Sequence, residues 1–172
     1  MPRLQNVDLQ CAACLAAVPP NPDLIDENLR GYVVLLSAHF QGFCRDLHTE
    51  AVQVIVSKLR RSLQMLIQDQ FTAYRKLDRG NPTHEHLKED FDRFGFALDL
   101  RIDPANRPRL NDLSALNKWR NVAAHQGTPL PAGIPLALPF LRVWRASCDG
   151  LATSLDAILY NQLRRILKRA PW

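Results

Sequence analysis

The 172-residue sequence lacks any apolar run near the roughly 20 residues that a bilayer requires, and its N-terminus shows no basic-then-apolar leader with a cleavage site. No membrane segment is expected, and the expected location is the cytoplasm. Cysteine is scarce as well. Cys11, Cys14, Cys44 and Cys148 are too few to staple a chain of this length. Cys11-Ala-Ala-Cys14 is only half of a four-cysteine zinc pattern, and Leu9 to Val18 lacks the strand-to-helix setting of a thioredoxin-like redox pair. The four are read as reduced thiols packed in helices. Almost no stretch alternates with period two over strand length, and there is no internal repeat, which excludes sheets and solenoids. His84-Glu85-His86 lacks the i, i+4 spacing that puts two metal ligands on one helical face, so no metal or cofactor site is expected.

What is present is a foldable composition, 47% hydrophobic against 23% charged, in a length that suits one domain over residues 1–172. The net charge of +5 comes mainly from arginine, whose planar fork suits phosphate or carboxylate groups. A basic composition alone has no bearing on which anion is met, because it equally produces a plain solvated surface.

Residues from about Val7 to Ala17 can form a short apolar helix, stopped by Pro19-Pro20-Asn21-Pro22; residues 1–22 are read as an N-terminal extension before the main fold. From Asp23, the residues Leu29, Val33, Leu36, Phe40, Phe43, Leu47, Ala51 and Val54 recur at steps of three or four, the stripe of a long amphipathic helix. The pattern resumes at Leu59, Leu63, Leu66, Ile67, Tyr74 and Leu77, with no Gly or Pro from Arg45 to Arg79. One unbroken helix there would be about 80 Å long, beyond the size of such a domain, so a break is expected near Ser57 to Ser62. Asn81 and Pro82 are read as the cap and first turn of a third helix to about Phe96, and Asp99 to Pro108 as a polar loop. Leu110 to Gln126 reads as a helix with Asn111 as cap, Asp112 in its first turn and Gly127 past its end. After the proline-rich Thr128 to Pro139, a final long helix carries Leu141, Trp144, Cys148, Leu151, Leu155, Ile158 or Leu159, and Leu163. The fold class is all-α, an antiparallel helical bundle with two long helices.

One segment carries chemistry: Trp119-Arg120-Asn121-Val122-Ala123-Ala124-His125-Gln126-Gly127. With 17 arginines and five histidines, an Arg-x4-His pair arises by chance about 0.4 times in such a chain, and Arg79 with His84 is a second copy. Gly80-Asn81-Pro82 forbids a helix between those two, and that copy is set aside. Requiring Asn after Arg lowers the chance expectation to roughly 0.02, and a helix end lowers it further.

The segment resembles the signature of the HEPN superfamily: Arg, a polar residue, three further residues and His near a helix end. Leu29 to Phe43 is similar to the opening helix of the RiboL-PSP-type HEPN proteins. One departure is Gln41, where relatives commonly carry an acidic residue; Asp46 and Glu50 are the nearby carboxylates, more simply read as solvated charges. The resemblance implies a HEPN-like bundle and a homodimer in which two copies of Arg120, Asn121 and His125 gather in a composite cleft.

On a continuous helix Asn121 and His125 would share a face, with Arg120 rotated by about 100°. For RNA cleavage without a metal, an imidazole suits the handling of the 2′-hydroxyl or leaving-group proton, which makes His125 the candidate acid or base. Arg120 would hold the phosphate as it gains charge, and Asn121 would orient the imidazole or a phosphate or ribose oxygen. The expected activity is a metal-independent endoribonuclease, giving a 2′,3′-cyclic phosphate and a 5′-hydroxyl and sparing DNA. The resemblance further implies a toxin of a toxin–antitoxin or phage-defence system, with RNA and a cognate antitoxin, such as a minimal nucleotidyltransferase, as partners. The alternatives are a non-catalytic module binding RNA or a nucleotide, and a dimerisation or antitoxin-binding domain.

Overall fold

Prolines 19, 20 and 22 end one helix and start the next. In the computed structural model, which describes residues 2–125 and 128–172, α1 spans Pro2–Ala16 and α2 spans Pro22–Val56. The Asn21 side chain accepts the Leu24 N–H at 3.1 Å, and Pro22 occupies the first turn, where its missing donor costs nothing. Along α2 the expected stripe faces inward at Leu29, Val33, Leu36, Phe40, Leu47 and Ala51, while Phe43 and Val54 lie at its rim. The first helix is no mere extension. Leu4 and Cys11 are buried in the same core as α2, so the main fold begins with α1 and not after it. Steps of three and four place Leu4, Val7 and Cys11 along one side, a short stripe hidden by the small residues around it.

The expected break occurs: α2 ends at Val56 and α3 runs Arg61–Thr72 from an extended Arg60. Past the break the apolar pattern holds only in part: Leu77 is buried, and Leu59 and Ile67 pack partly buried against the core. No residue of α3 is buried; Leu63 is 43% and Leu66 58% exposed, and Tyr74 is exposed beyond it. The helix packs on α2 with only one side partly covered: Ile67 and Phe71 lie against the core and Phe71 stacks on Phe94 at 5.3 Å, while Leu63 and Leu66 face away.

A 3₁₀ turn at Lys76–Asp78 leads to α4 at His84–Asp92. The cap is Thr83, which accepts the His86 N–H at 3.2 Å, and not Asn81; Pro82 lies ahead of the helix because Asn81 is engaged elsewhere. The stretch Asp99 to Pro108 is only partly a loop. It holds a 3₁₀ turn at Leu100–Ile102, capped by Asp99, and then α5, which spans Asn106–Ala124. Pro108 falls in the first helical turn, where proline is tolerated, so the helix starts before Leu110 and Asn111 is interior to it rather than its cap. Asp112 likewise sits within α5, where it accepts the Ser147 hydroxyl at 2.6 Å. Gln126 and Gly127, the expected end of this helix and its left-handed cap, lie outside the described residues. The last helix, α6, spans Leu138–Leu167, with the expected stripe buried from Leu141 to Leu163 and Leu159 taking the place left open between it and Ile158.

Cross-links between helices fix their directions. Asn28 reaches Cys14 and Arg142 reaches Asp8, while Asn106 bonds Ser154 and Asp112 bonds Ser147. Thus α1 and α5 run opposite to α2 and α6 in an antiparallel four-helix bundle, and α3 and α4 form an insertion between α2 and α5. There is no strand among the described residues, and no described helix is long and apolar enough to cross a membrane. All four cysteines are free; burial pushes the Cys148 thiol up to about 12 and Cys44 well above its ordinary value.

Candidate functional site

The site is built on the polar side of α5. Arg107, Asn111, Ser114, Lys118 and Asn121 succeed one another at steps of four and three, so they share one face of the helix, while Leu113, Leu116 and Trp119 turn to the core. Facing this polar row is the segment between the 3₁₀ turn and α4. Its path is fixed by side-chain amides: Gln41 Nε2 donates to Leu77 O at 2.5 Å and Gly80 O at 2.9 Å, and Asn117 Nδ2 donates to Pro82 O at 3.0 Å. A carboxylate at position 41 has no proton to donate to these carbonyls, which gives the amide there a physical reason. His86 Nδ1 donates to Asn81 O at 2.7 Å, and a Cβ on Gly80 would come within 3.0 Å of the same imidazole.

Two pockets lie between the walls. The larger, of about 630 Å³, runs along α5 from Arg107 to Asn121 with Thr83, His84, Glu85 and Arg101 opposite. The smaller, of about 340 Å³, is bordered by Gln41, Asp78, Arg79, Gly80, Arg120 and Asn121. Asn81 and Asn121 border both, joined by Asn81 Nδ2 donating to Asn121 Oδ1 at 2.8 Å.

Charge in these walls is one-sided. Asp78 is held by Arg75 at 3.0 Å and Glu85 by Arg101 at 3.1 Å. Arg79, Arg107, Lys118 and Arg120 make no ion pair with a carboxylate among the described residues, and Arg79 lies over the Tyr74 ring at 5.2 Å. His84 is 8% exposed, with Nε2 3.5 Å from Asp99; burial and then Arg101 hold its imidazole below the ordinary range. Its Nδ1, and the Oδ1 of Asn117, are buried without a hydrogen-bond partner among the described residues.

The structure brings Arg120 and Asn121 to the smaller pocket, Arg120 half-buried and Asn121 exposed at its wall. His125 is placed differently. The helix ends at Ala124, and His125 takes extended backbone at φ −132° and ψ 118°, its N–H still bonded to Asn121 O at 3.0 Å. The expectation that Asn121 and His125 share a helical face is therefore corrected: once the backbone leaves the helix, position 125 no longer follows the 3.6-residue period. His125 is exposed, just past the end of α5, and borders neither pocket.

No protein-family model, curated protein or solved structure matches this chain. The site rests on its own geometry.

Among the described residues no group of three or more His, Cys, Asp or Glu side chains is placed to hold a metal ion. His84 and His86 turn to different partners, Asp99 and the Asn81 carbonyl. Asp46 and Glu50 are exposed and border neither pocket. His48 is fully buried against Phe91 and Phe94, its pKa lowered to about 4 by burial and then by Arg75.

Sequence reading missed Asn81 as a site residue, and with it Arg107 and Lys118. The row Arg107, Asn111, Ser114, Lys118, Asn121 was the available signal, hidden by starting the helix at Leu110. Arg79 and His84 are not a helical copy of the motif, since the chain between them is not helical, yet each borders one of the two pockets.

Proposed function

We propose that this protein is an endoribonuclease that cleaves RNA without using a metal ion. The observation carrying this reading is that Arg120 and Asn121 share a pocket with Arg79, which like Arg120 makes no ion pair among the described residues, while His125 follows exposed just past the end of the same helix. A phosphodiester in the pocket would meet two guanidinium groups, which hold phosphate bidentately and favour the charge that builds on its oxygens. The 2′-oxygen attacks phosphorus, the new O2′–P bond replaces the P–O5′ bond, and imidazole takes the 2′-hydroxyl proton while the leaving 5′-oxygen receives one. The products are a 2′,3′-cyclic phosphate and a 5′-hydroxyl.

The resemblance of Arg120 to His125 to the HEPN signature supports the same reading and adds a homodimer, in which the second imidazole supplies the leaving-group proton. Val34 and Leu35 are exposed beside Ala123 at this helix end, flanked by Asp23, Asp26, Glu27 and Arg30, a mixed surface that a second copy would cover. A toxin role, with a nucleotidyltransferase-type antitoxin as partner, belongs to this proposal through the resemblance alone.

A non-catalytic module that holds RNA or a nucleotide is the second reading. It is favoured by the engagement of Asn121 Oδ1 with Asn81 and by the departure of His125 from the helical face. Incubation of defined RNA with the protein in excess EDTA, beside a His125→Ala variant, separates the two. Ribonuclease action predicts cleavage in EDTA that the variant lacks. RNA bound and left intact by both proteins supports the module, and cleavage retained by the variant removes His125 from the chemistry.

A further inference from the structure

The larger pocket has features that the chemistry at Arg120 leaves unused. Arg107 and Lys118 are exposed at its rim, 11 positions apart along one face of α5, with no ion pair among the described residues. Arg101 is already engaged by Glu85 at 3.1 Å. The free cations therefore favour an anion, and their separation, about 16 Å along the axis at 1.5 Å per residue, leaves room for more than a bare ion. Between them lie the uncharged hydrogen-bonding groups Asn111 and Ser114, with Asn121 one step past Lys118, above the partly apolar floor of Leu110 and Leu113. Asn and Ser side chains both donate and accept, which suits the edges of a base and the hydroxyls of a ribose. The volume, about 630 Å³, falls within the range of small-ligand pockets.

Two buried wall residues strengthen the assignment. His84 and Asn117, 8% and 7% exposed, each keep one polar atom without a partner, His84 Nδ1 and Asn117 Oδ1. Buried polar atoms are ordinarily paired, and two exceptions on residues of one pocket mark it as unlike the solvated face of an ordinary helix.

We infer that this pocket receives one ribonucleoside monophosphate unit, its phosphate drawn by Arg107 or Lys118 and its base and sugar met by the row of amide and hydroxyl groups on α5. The shared Asn81–Asn121 wall sets that nucleotide directly beside the pocket of Arg120. The inference deepens the ribonuclease reading and rests on it for the link to RNA. The same chemistry is offered by a free nucleotide or by one unit of an RNA chain.

Calorimetric titration of the 172-residue protein with AMP, GMP, CMP and UMP, and with inorganic phosphate, tests the pocket. At least one nucleotide is expected to bind more tightly than phosphate, with Arg107→Ala or Lys118→Ala weakening it by about tenfold, the scale of one charge-assisted contact. Ser114→Leu, which fills the pocket while keeping every charge and a good helix former, is expected to weaken binding similarly. Circular dichroism melts check that all three variants are folded. Parallel titrations with a short RNA use the His125→Ala protein, so that the chain stays intact. Pocket-sensitive binding of mononucleotides alone assigns a receptor for free nucleotide; pocket-sensitive binding of RNA assigns a subsite beside the cut. Nucleotide binding no tighter than phosphate, or unchanged in all three folded variants, overturns the assignment. Absence of cleavage with pocket-sensitive binding intact removes the ribonuclease reading and leaves the pocket standing.

Discussion

The protein holds polar side chains in two contrasting regions. Around His48 and Asp90, the groups find their partners inside the chain: Asp90 accepts the Lys76 and Leu77 N–H groups at 2.9 Å each, and His48 Nε2 donates to Asp90 O at 3.2 Å. Along α5 and the wall facing it, similar residue types remain open, with Arg107, Lys118 and Arg120 unpaired among the described residues and buried atoms of His84 and Asn117 without partners. The first region is an anchor. It fixes the 3₁₀ turn from which the opposite wall of the second region departs. The second leaves its bonding capacity unused among the described residues. Residue type alone therefore does not separate structure from function; the partners do.

The largest expected effect lies in the anchor. Asp90→Ala leaves two backbone donors and the Arg93 guanidinium, 3.7 Å away, without their carboxylate, and is expected to cost about 3–5 kcal/mol in urea unfolding. An effect under about 1 kcal/mol would break the contrast. Arg120→Ala is the opposite case: cleavage is expected to fall by about 10²–10³, on the scale of a lost oxyanion donor, while unfolding free energy moves by under about 0.5 kcal/mol. A variant that loses stability and activity together would place Arg120 with the anchor instead.

His48 makes the anchor sensitive to pH. Its folded pKa of about 4 lies below the ordinary 6.5, so between those values the unfolded chain binds the extra proton. Stability from neutral, buried His48 is complete above pH 6.5 and is lost as pH falls toward 4, by at most about 3 kcal/mol. Unfolding followed across that window should show this slope flattened in His48→Gln. The smallest effect is at the wall between the pockets. Asn81→Ala removes one exposed side-chain hydrogen bond to Asn121 and is expected to change cleavage by about 3- to 10-fold, with stability nearly unaltered. Steady-state rates on a fixed RNA would show it.

Much of the helical order was legible because burial on one side leaves a periodic trace. The stripes from Leu29 to Ala51 and from Leu141 to Leu163 mark α2 and α6, and the missing glycine and proline after Arg45 made the break a matter of length rather than composition. Periodicity could not show which side of α3 would be covered, since Leu63 and Leu66 look the same in sequence whether covered or not. The start of α5 was obscured by Pro108, which suits a loop and a first helical turn equally. Of the candidate site, Arg120 and Asn121 were found by local spacing. Asn81 and Gln41 were not, because their roles depend on contacts 40 and 39 positions distant in sequence. His125 was identified as a residue but not in its geometry, because the helix ends one residue earlier than its own spacing assumes.

The central claim is that the arginine, asparagine and histidine at the end of α5 cut RNA through its own 2′-hydroxyl. The most direct measurement maps the cut in a defined RNA under excess EDTA, then repeats it with a single 2′-deoxy nucleotide immediately 5′ of the scissile phosphate. The expected result is a 2′,3′-cyclic phosphate and a 5′-hydroxyl from the RNA, with that cut abolished by the deoxy substitution. Cleavage that persists across the deoxy position and leaves a 5′-phosphate would contradict it.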